Sequence, residues 1–272
     1  MRARDMTAAT AGAYGFRLAG LETVNWLGVS GGADWPKVTC TRDSRPEAPD
    51  LWLEADTLEL RIRADIPHSE LVHPLLGRVA GRLAPMHGCD AMHAGAVAGV
   101  AGAWIVIGSK GAGKSTLLAG LANVGTPIVT DDVLVFSDGV AMAGPRSIDL
   151  RPDMQRFGLG TAVRPSDPRN RISLPPIAAE HPLAGIIHLE WSPAETTIEP
   201  VHHRDSMTRL VMARSENGYP RDPRTLLDLA ALPTVCLRRP RSIEGLNASV
   251  ALTQRLLFDP DVAVADRRRL AA

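Results

Sequence analysis

The sequence predicts an α/β fold built around a phosphate-binding loop. Two observations carry that prediction. The apolar run Trp104-Ile105-Val106-Ile107 leads directly into Gly108-Ser109-Lys110-Gly111-Ala112-Gly113-Lys114-Ser115, and Leu117, Leu118 and Leu121 then mark one face of a helix. A second apolar run, Ile128-Val129-Thr130, follows Gly125 and ends on Asp131-Asp132. Strand, loop, helix, strand is the pattern of a βαβ unit. With 272 residues, 45% of them hydrophobic, the chain can fill one large core or a core with a smaller appendage.

The elements follow in order. Residues 1–66 read as a β-rich N-terminal portion, and residues 67–272 as the loop-bearing domain. Leu51 to Ala55 and Thr57 to Arg63 flank a short turn, the second alternating apolar and polar residues with period two. Leu71, Leu75, Val79 and Leu83 recur every four residues and predict a helix over 68–86, with Pro74 in its first turn. Strands are expected at His93 to Val97 and Ala103 to Ile107, joined through Gly99-Val100-Ala101-Gly102. A helix is expected from Lys114 to Asn123. Residues 140–182, rich in Pro, Arg and Asp, read as loops and short elements over a site. Then come a strand from Leu183 to Trp191, helices at Ser206 to Arg214 and Pro223 to Ala231, a short strand at Val235 to Arg238 and a closing helix from Ser242 to Phe258.

Charge and cysteine content narrow the function. Lys plus Arg, 30, equals Asp plus Glu, 30, so no net field favours nucleic acid or an anionic membrane. The run Arg267-Arg268-Arg269 reads as a solvated helix end. Three cysteines without CxxC spacing argue against a disulfide framework or zinc knuckle. His87, Cys89 and His93 lie close together but lack an evident fourth ligand. No signal-like segment is seen, and the apolar window 94–108 is too short to span a bilayer, so the expected location is the cytoplasm.

The glycine-rich segment fits G-x-x-x-x-G-K-[ST] at every fixed position. Phosphate oxygens need a row of backbone N–H groups, and glycine lets the chain curl that tightly without a Cβ clash. The following helix directs the positive end of its dipole at the same phosphates. Gly108, Ser109, Lys110, Gly111, Ala112, Gly113, Lys114, Ser115 and Thr116 are therefore the expected nucleotide-binding residues. Lys114 is placed for the β and γ phosphates, and Ser115 for Mg²⁺. A carboxylate at the tip of a neighbouring strand holds metal or orients an attacking oxygen. Adjacent residues on a strand point oppositely, so Asp131 and Asp132 have different jobs, one as base and one supporting the metal's water shell, or else they cap the strand as a turn. His93, next to apolar residues on a short strand, reads from its surroundings as a hydrogen-bonded core histidine. Arg146, Arg151, Arg169 and Arg171 follow the aspartates, each either a surface salt-bridge residue or a γ-phosphate contact, with Arg171 the first choice for the latter.

Met92-His93-Ala94-Gly95-Ala96-Val97, the loop through Leu117 and the Asp131-Asp132 pair resemble the catalytic domain of the HPr kinase/phosphorylase family and its stand-alone HPr-kinase-like members. The resemblance covers about residues 70–150 and extends faintly through Leu237-Arg238-Arg239-Pro240. It implies a P-loop kinase core of the HPr kinase and phosphoenolpyruvate carboxykinase type, Mg²⁺-ATP as donor and a serine hydroxyl as acceptor. It implies Lys114 and Ser115 at the nucleotide and metal positions, Asp131 as general base, Asp132 beside metal and phosphate, and His93 as an active-site histidine. Thr116 stands where bifunctional members carry Glu, which points to the stand-alone kinases, some of which phosphorylate a lasso-peptide precursor near its C-terminus. The expected partner is a peptide or small protein with a serine hydroxyl. The family's hexamers leave a homo-oligomer open. An ATPase switch, a non-catalytic nucleotide sensor and a small-molecule kinase are the competing functions.

Overall fold

The computed structural model describes residues 9–10, 12–21, 29–45, 47–54, 56–67, 71, 76–152, 161–164, 167–213 and 223–259. The fold is mixed α/β, with four sheets and five helices among the described residues.

The strand Gly102–Ile107 lies at the heart of a nine-stranded sheet. It turns back antiparallel on Gly95–Gly99, which in turn pairs with Ile128–Thr130. On its other side it runs parallel to Glu180–Trp191, with Ile105 opposite Ile186 and Ile107 opposite His188. The same long strand runs parallel to Thr234–Arg239, which carries Thr197–Pro200 on its outer edge. Three parallel strands therefore end at one edge, at Ile107, Trp191 and Arg239. The sheet as a whole is mixed, but where parallel strands end together in an α/β fold, ligands bind outside their carboxyl ends.

Period-two geometry explains the unbroken apolar run at 104–107. Trp104 and Val106 pack with Leu117, Leu121, Val250 and Leu257, under the helices Lys114–Asn123 and Ile243–Phe258. Ile105 and Ile107 pack on the opposite face with Leu210, Leu226 and Leu229, under His203–Met212 and Pro223–Ala230. With helices on both faces, neither set of side chains meets water. The parallel pairing brings Gly185 opposite Trp104, where a Cβ would stand 2.5 Å from the indole ring. Ser242 caps the closing helix by accepting from the Gly245 amide at 3.0 Å.

Leu51–Glu54 and Glu59–Arg63 form the expected antiparallel pair within a five-stranded N-terminal sheet. That sheet packs Leu18, Val38, Leu60 and Ile62 against Val79 and Leu83 of the helix Leu76–Met86, and against Val135. Of the helix expected over 68–86, residues 68–70 and 72–75, with Pro74 and Leu75, lie outside the described residues, as does the Arg267–Arg269 run.

One expectation needs correction. Residues 93–97 do not make one strand. Asp90–Met92 pairs with Leu134–Ser137, whereas Gly95–Gly99 pairs with Gly102–Ile107, so the chain changes partners at His93-Ala94. Residues 140–182 hold short elements, as expected. Ser147–Leu150, Asp167–Ser173 and Thr161–Arg164 form a three-stranded sheet, and Val140–Met142 joins the large one. No helix among the described residues is long and apolar enough to cross a membrane.

Candidate active site

The glycine-rich loop leaves the sheet at Gly108 and enters its helix at Lys114. Gly111 and Gly113 hold φ of 85° and 84°, the left-handed region that glycine occupies without strain. At Gly113 space is a second constraint, because a Cβ would lie 2.5 Å from the Arg239 guanidinium and 3.2 Å from the Trp191 ring. The Lys114 ammonium folds back over the loop and donates to the Gly108 carbonyl at 3.0 Å. Burial lowers its pKa, and the nearby charges of Asp131 and Asp132 oppose that shift. Ser109 and Lys110 stand exposed at the tip, Ala112 is buried beneath it, and Thr116 follows Ser115 in the first helical turn.

The strand Ile128–Thr130 delivers the two aspartates to different places. Asp131 is 2% exposed, and its Oδ1 accepts from the Ser115 hydroxyl at 2.9 Å. Asp132 turns outward with φ of 69°, a left-handed conformation that Asp tolerates better than most residues. His93 Nδ1 lies 3.0 Å from the Asp132 carbonyl and 3.3 Å from its carboxylate Oδ1. A carbonyl only accepts, so Nδ1 carries the proton and Nε2 faces away. The partner change at His93 is what places this side chain beside the aspartates rather than in a strand face. Thr130 fixes the turn by donating to the Val133 carbonyl at 2.7 Å.

Tyr14 enters from the N-terminal sheet, with its amide bonded to the Ala143 carbonyl at 2.7 Å. Its side chain is buried next to Thr130 and Gly144. Burial, then the charges of Asp132, Asp131 and Asp149, raise its pKa well above the ordinary value, so it stays a neutral phenol.

The arginines divide. Arg146 is not a surface residue, and its guanidinium is taken up by backbone carbonyls. It is 3% exposed, and its guanidinium donates to the carbonyls of Ile128 at 2.6 Å, Val129 at 3.2 Å, Gly144 at 3.4 Å and Pro175 at 3.0 Å. Burial lowers its pKa to about 10. The sequence could not reveal this, because the four carbonyls come from three separate segments. Arg171 makes a bidentate pair with Asp149 at 2.6 and 2.8 Å, and Arg169 stands 3.8 Å from the same carboxylate. Arg151 is exposed.

Sequence reasoning missed the group behind the loop. Trp191, at the end of the long parallel strand, donates its indole N–H to the Gly111 carbonyl at 3.0 Å. Arg239, 2% exposed, donates to the Gly113 carbonyl at 2.8 Å and the Ala112 carbonyl at 3.3 Å. Burial lowers its pKa to about 10. Both guanidinium carbons, of Arg239 and Arg241, lie 4.9 Å from the centre of the Trp191 ring. The available signal was that two mainly apolar strands, Glu180–Trp191 and Thr234–Arg239, each close on a large side chain one residue after a charged one.

The fold and the site together define an α/β protein with a glycine-rich loop and strand-tip carboxylates at the carboxyl ends of the central strands of a mixed sheet. No family model and no curated protein matches the chain. Among solved structures it is similar to the HPr(Ser) kinase/phosphatase from Coxiella burnetii, at 13% identity and a TM-score of 0.34, over 67% of this chain and 99% of that one.

Proposed function

We propose that this chain is an ATP-dependent kinase that binds Mg²⁺-ATP on its P-loop, residues 108–116, and transfers the γ-phosphate to a hydroxyl, a serine of a peptide or small protein. The observation that carries the reading is the Ser115–Asp131 hydrogen bond beside the exposed Asp132–His93 pair. It gathers at one mouth of the loop the oxygen ligands a hard cation takes and a carboxylate open to a second substrate.

The oxygens of Ser115 and Asp131 fit Mg²⁺, which when bound supplies positive charge to the phosphates. The geometry favours an exchange of roles relative to the family pattern. Asp131, sealed against Ser115, suits the metal's shell. Asp132, with its side chain 40% exposed, suits the acceptor hydroxyl. In the transfer, Asp132 takes the hydroxyl proton as the acceptor oxygen bonds to phosphorus, and the bond to the β-phosphate oxygen breaks to leave ADP. Lys114 and the loop amides hold the β and γ phosphates, and His93 orients Asp132 through its Nδ1–H. Arg171 is the proposed γ-phosphate contact, though its guanidinium is paired with Asp149 in this structure.

The test uses γ-labelled ATP, Mg²⁺ and serine peptides, among them precursors of the lasso type, in the cytoplasmic pH range. Label on the peptide that disappears with Asp132→Asn supports the proposal. Label released only as free phosphate, at a rate indifferent to peptide, sinks it in favour of an ATPase.

A further inference from the structure

We propose that Trp191 and Arg241 form the seat for the nucleobase of the bound nucleotide. This rests on the P-loop reading and adds to it the end of the ligand that carries no phosphate. The strand order supplies the first argument. The aspartates follow Ile128–Thr130, on one side of the loop-bearing strand, and Trp191 ends the strand paired along its other side. A triphosphate whose γ end meets Asp131 and Asp132 runs back across the loop toward Trp191.

The second argument is the state of the indole. Its N–H is pinned to Gly111, and the buried Arg239 stands 4.9 Å from the ring centre, so its position is fixed before any ligand arrives. Yet Trp191 remains 38% exposed. A rigid, partly open aromatic surface is suited to stacking a planar ring, since little side-chain freedom is lost on binding. Arg241 is exposed, with its guanidinium 4.9 Å from the ring centre. Because that guanidinium lies over the indole, the base meets a planar cation already stacked on the ring, and the seat is the Trp191–Arg241 pair rather than the bare ring. A Trp that served only to brace the loop would need its N–H and its buried edge, not the open remainder.

Calorimetric titration with two probes, ATP and inorganic tripolyphosphate, tests the seat. For Trp191→Ala we expect ATP to bind about tenfold or more weakly, the range of base–aromatic stacking, with tripolyphosphate changed by less than about twofold. Trp191→Phe, which keeps a ring but loses the N–H, retains most of the ATP affinity. Arg241→Ala, a surface change that leaves the fold intact, weakens ATP several-fold and tripolyphosphate less. Equal losses for both probes, or no loss for ATP, overturn the proposal. A wild-type chain that binds the two probes equally tightly overturns the seat alone. One that binds neither overturns the P-loop reading beneath it.

Discussion

The Ser115 hydroxyl and the Asp131 carboxylate, sixteen residues apart, meet at 2.9 Å and tie the first turn of the loop helix to the end of a strand two places across the sheet. Asp132, the next residue, makes no such contact with the loop and faces His93 instead. Two carboxylates in such different surroundings respond differently to loss of charge. Asp131→Asn is expected to raise the Mg²⁺ concentration for half-maximal turnover by about tenfold or more. Asp132→Asn is expected to lower kcat by about 100-fold, the scale of one general base, with the Mg²⁺ requirement unchanged. Steady-state phosphate transfer over a Mg²⁺ series separates them, and the reverse pattern would restore Asp131 as the base.

Gly111 and Gly113 share a left-handed φ but not their surroundings. A Cβ on Gly111 meets nothing within 4 Å, whereas one on Gly113 strikes Arg239 and Trp191. Gly111→Ala therefore costs about 1–2 kcal/mol of backbone strain. Gly113→Ala costs clearly more and displaces the guanidinium from the loop carbonyls. Urea unfolding of the two variants checks the order, and equal midpoints would contradict it.

Arg146 donates to carbonyls that flank the aspartate strand. Lysine carries one point charge, at most three N–H donors and no fork, so Arg146→Lys leaves at least one of the four carbonyls without the guanidinium's bond. We expect a loss of about 2–4 kcal/mol in denaturant unfolding. A change within about 0.5 kcal/mol would mean that water replaces the guanidinium freely.

What the sequence disclosed was local. The loop helix occupies Lys114–Asn123 as its apolar spacing predicts, because its start is set by the Gly-Lys junction and its end by Gly125. The strand before it and the aspartate strand likewise declare themselves within a few residues. Trp191 and Arg239, by contrast, meet the loop from 80 and 126 residues away, through a parallel register that no short pattern encodes. Tyr14 reaches the aspartates from a different sheet. Arg146 reads as one more arginine in a polar stretch, because burial of a guanidinium depends on where distant carbonyls point. The break at His93 was hidden because the two strands on either side are too short to show separate periodicities.

His188 gives a pH prediction. It is 3% exposed in the long parallel strand. Burial, together with the Arg209 cation, lowers its pKa from 6.5 to about 4, and Glu190, ion-paired to Arg209, partly offsets this. The folded pKa lies below the unfolded one, so between these values the unfolded chain binds more protons and stability rises with pH. The contribution is complete above pH 6.5 and is lost as pH falls toward 4, with an upper bound of about 3 kcal/mol. His188→Gln should flatten that part of the stability curve. An unchanged slope between pH 6.5 and 4 would assign it to other groups.

Lys114 sits at the centre of the account, since its ammonium is held over the loop that the proposed function assigns to the phosphates. Calorimetric titration of Mg²⁺-ATP into the wild type and Lys114→Met is the most direct measurement. The substitution removes a buried charge and keeps the side-chain volume, so the fold should survive. We predict saturable one-to-one binding by the wild type and a loss of at least about tenfold in the folded variant. No binding by the wild type, or equal affinity in both, would contradict the account.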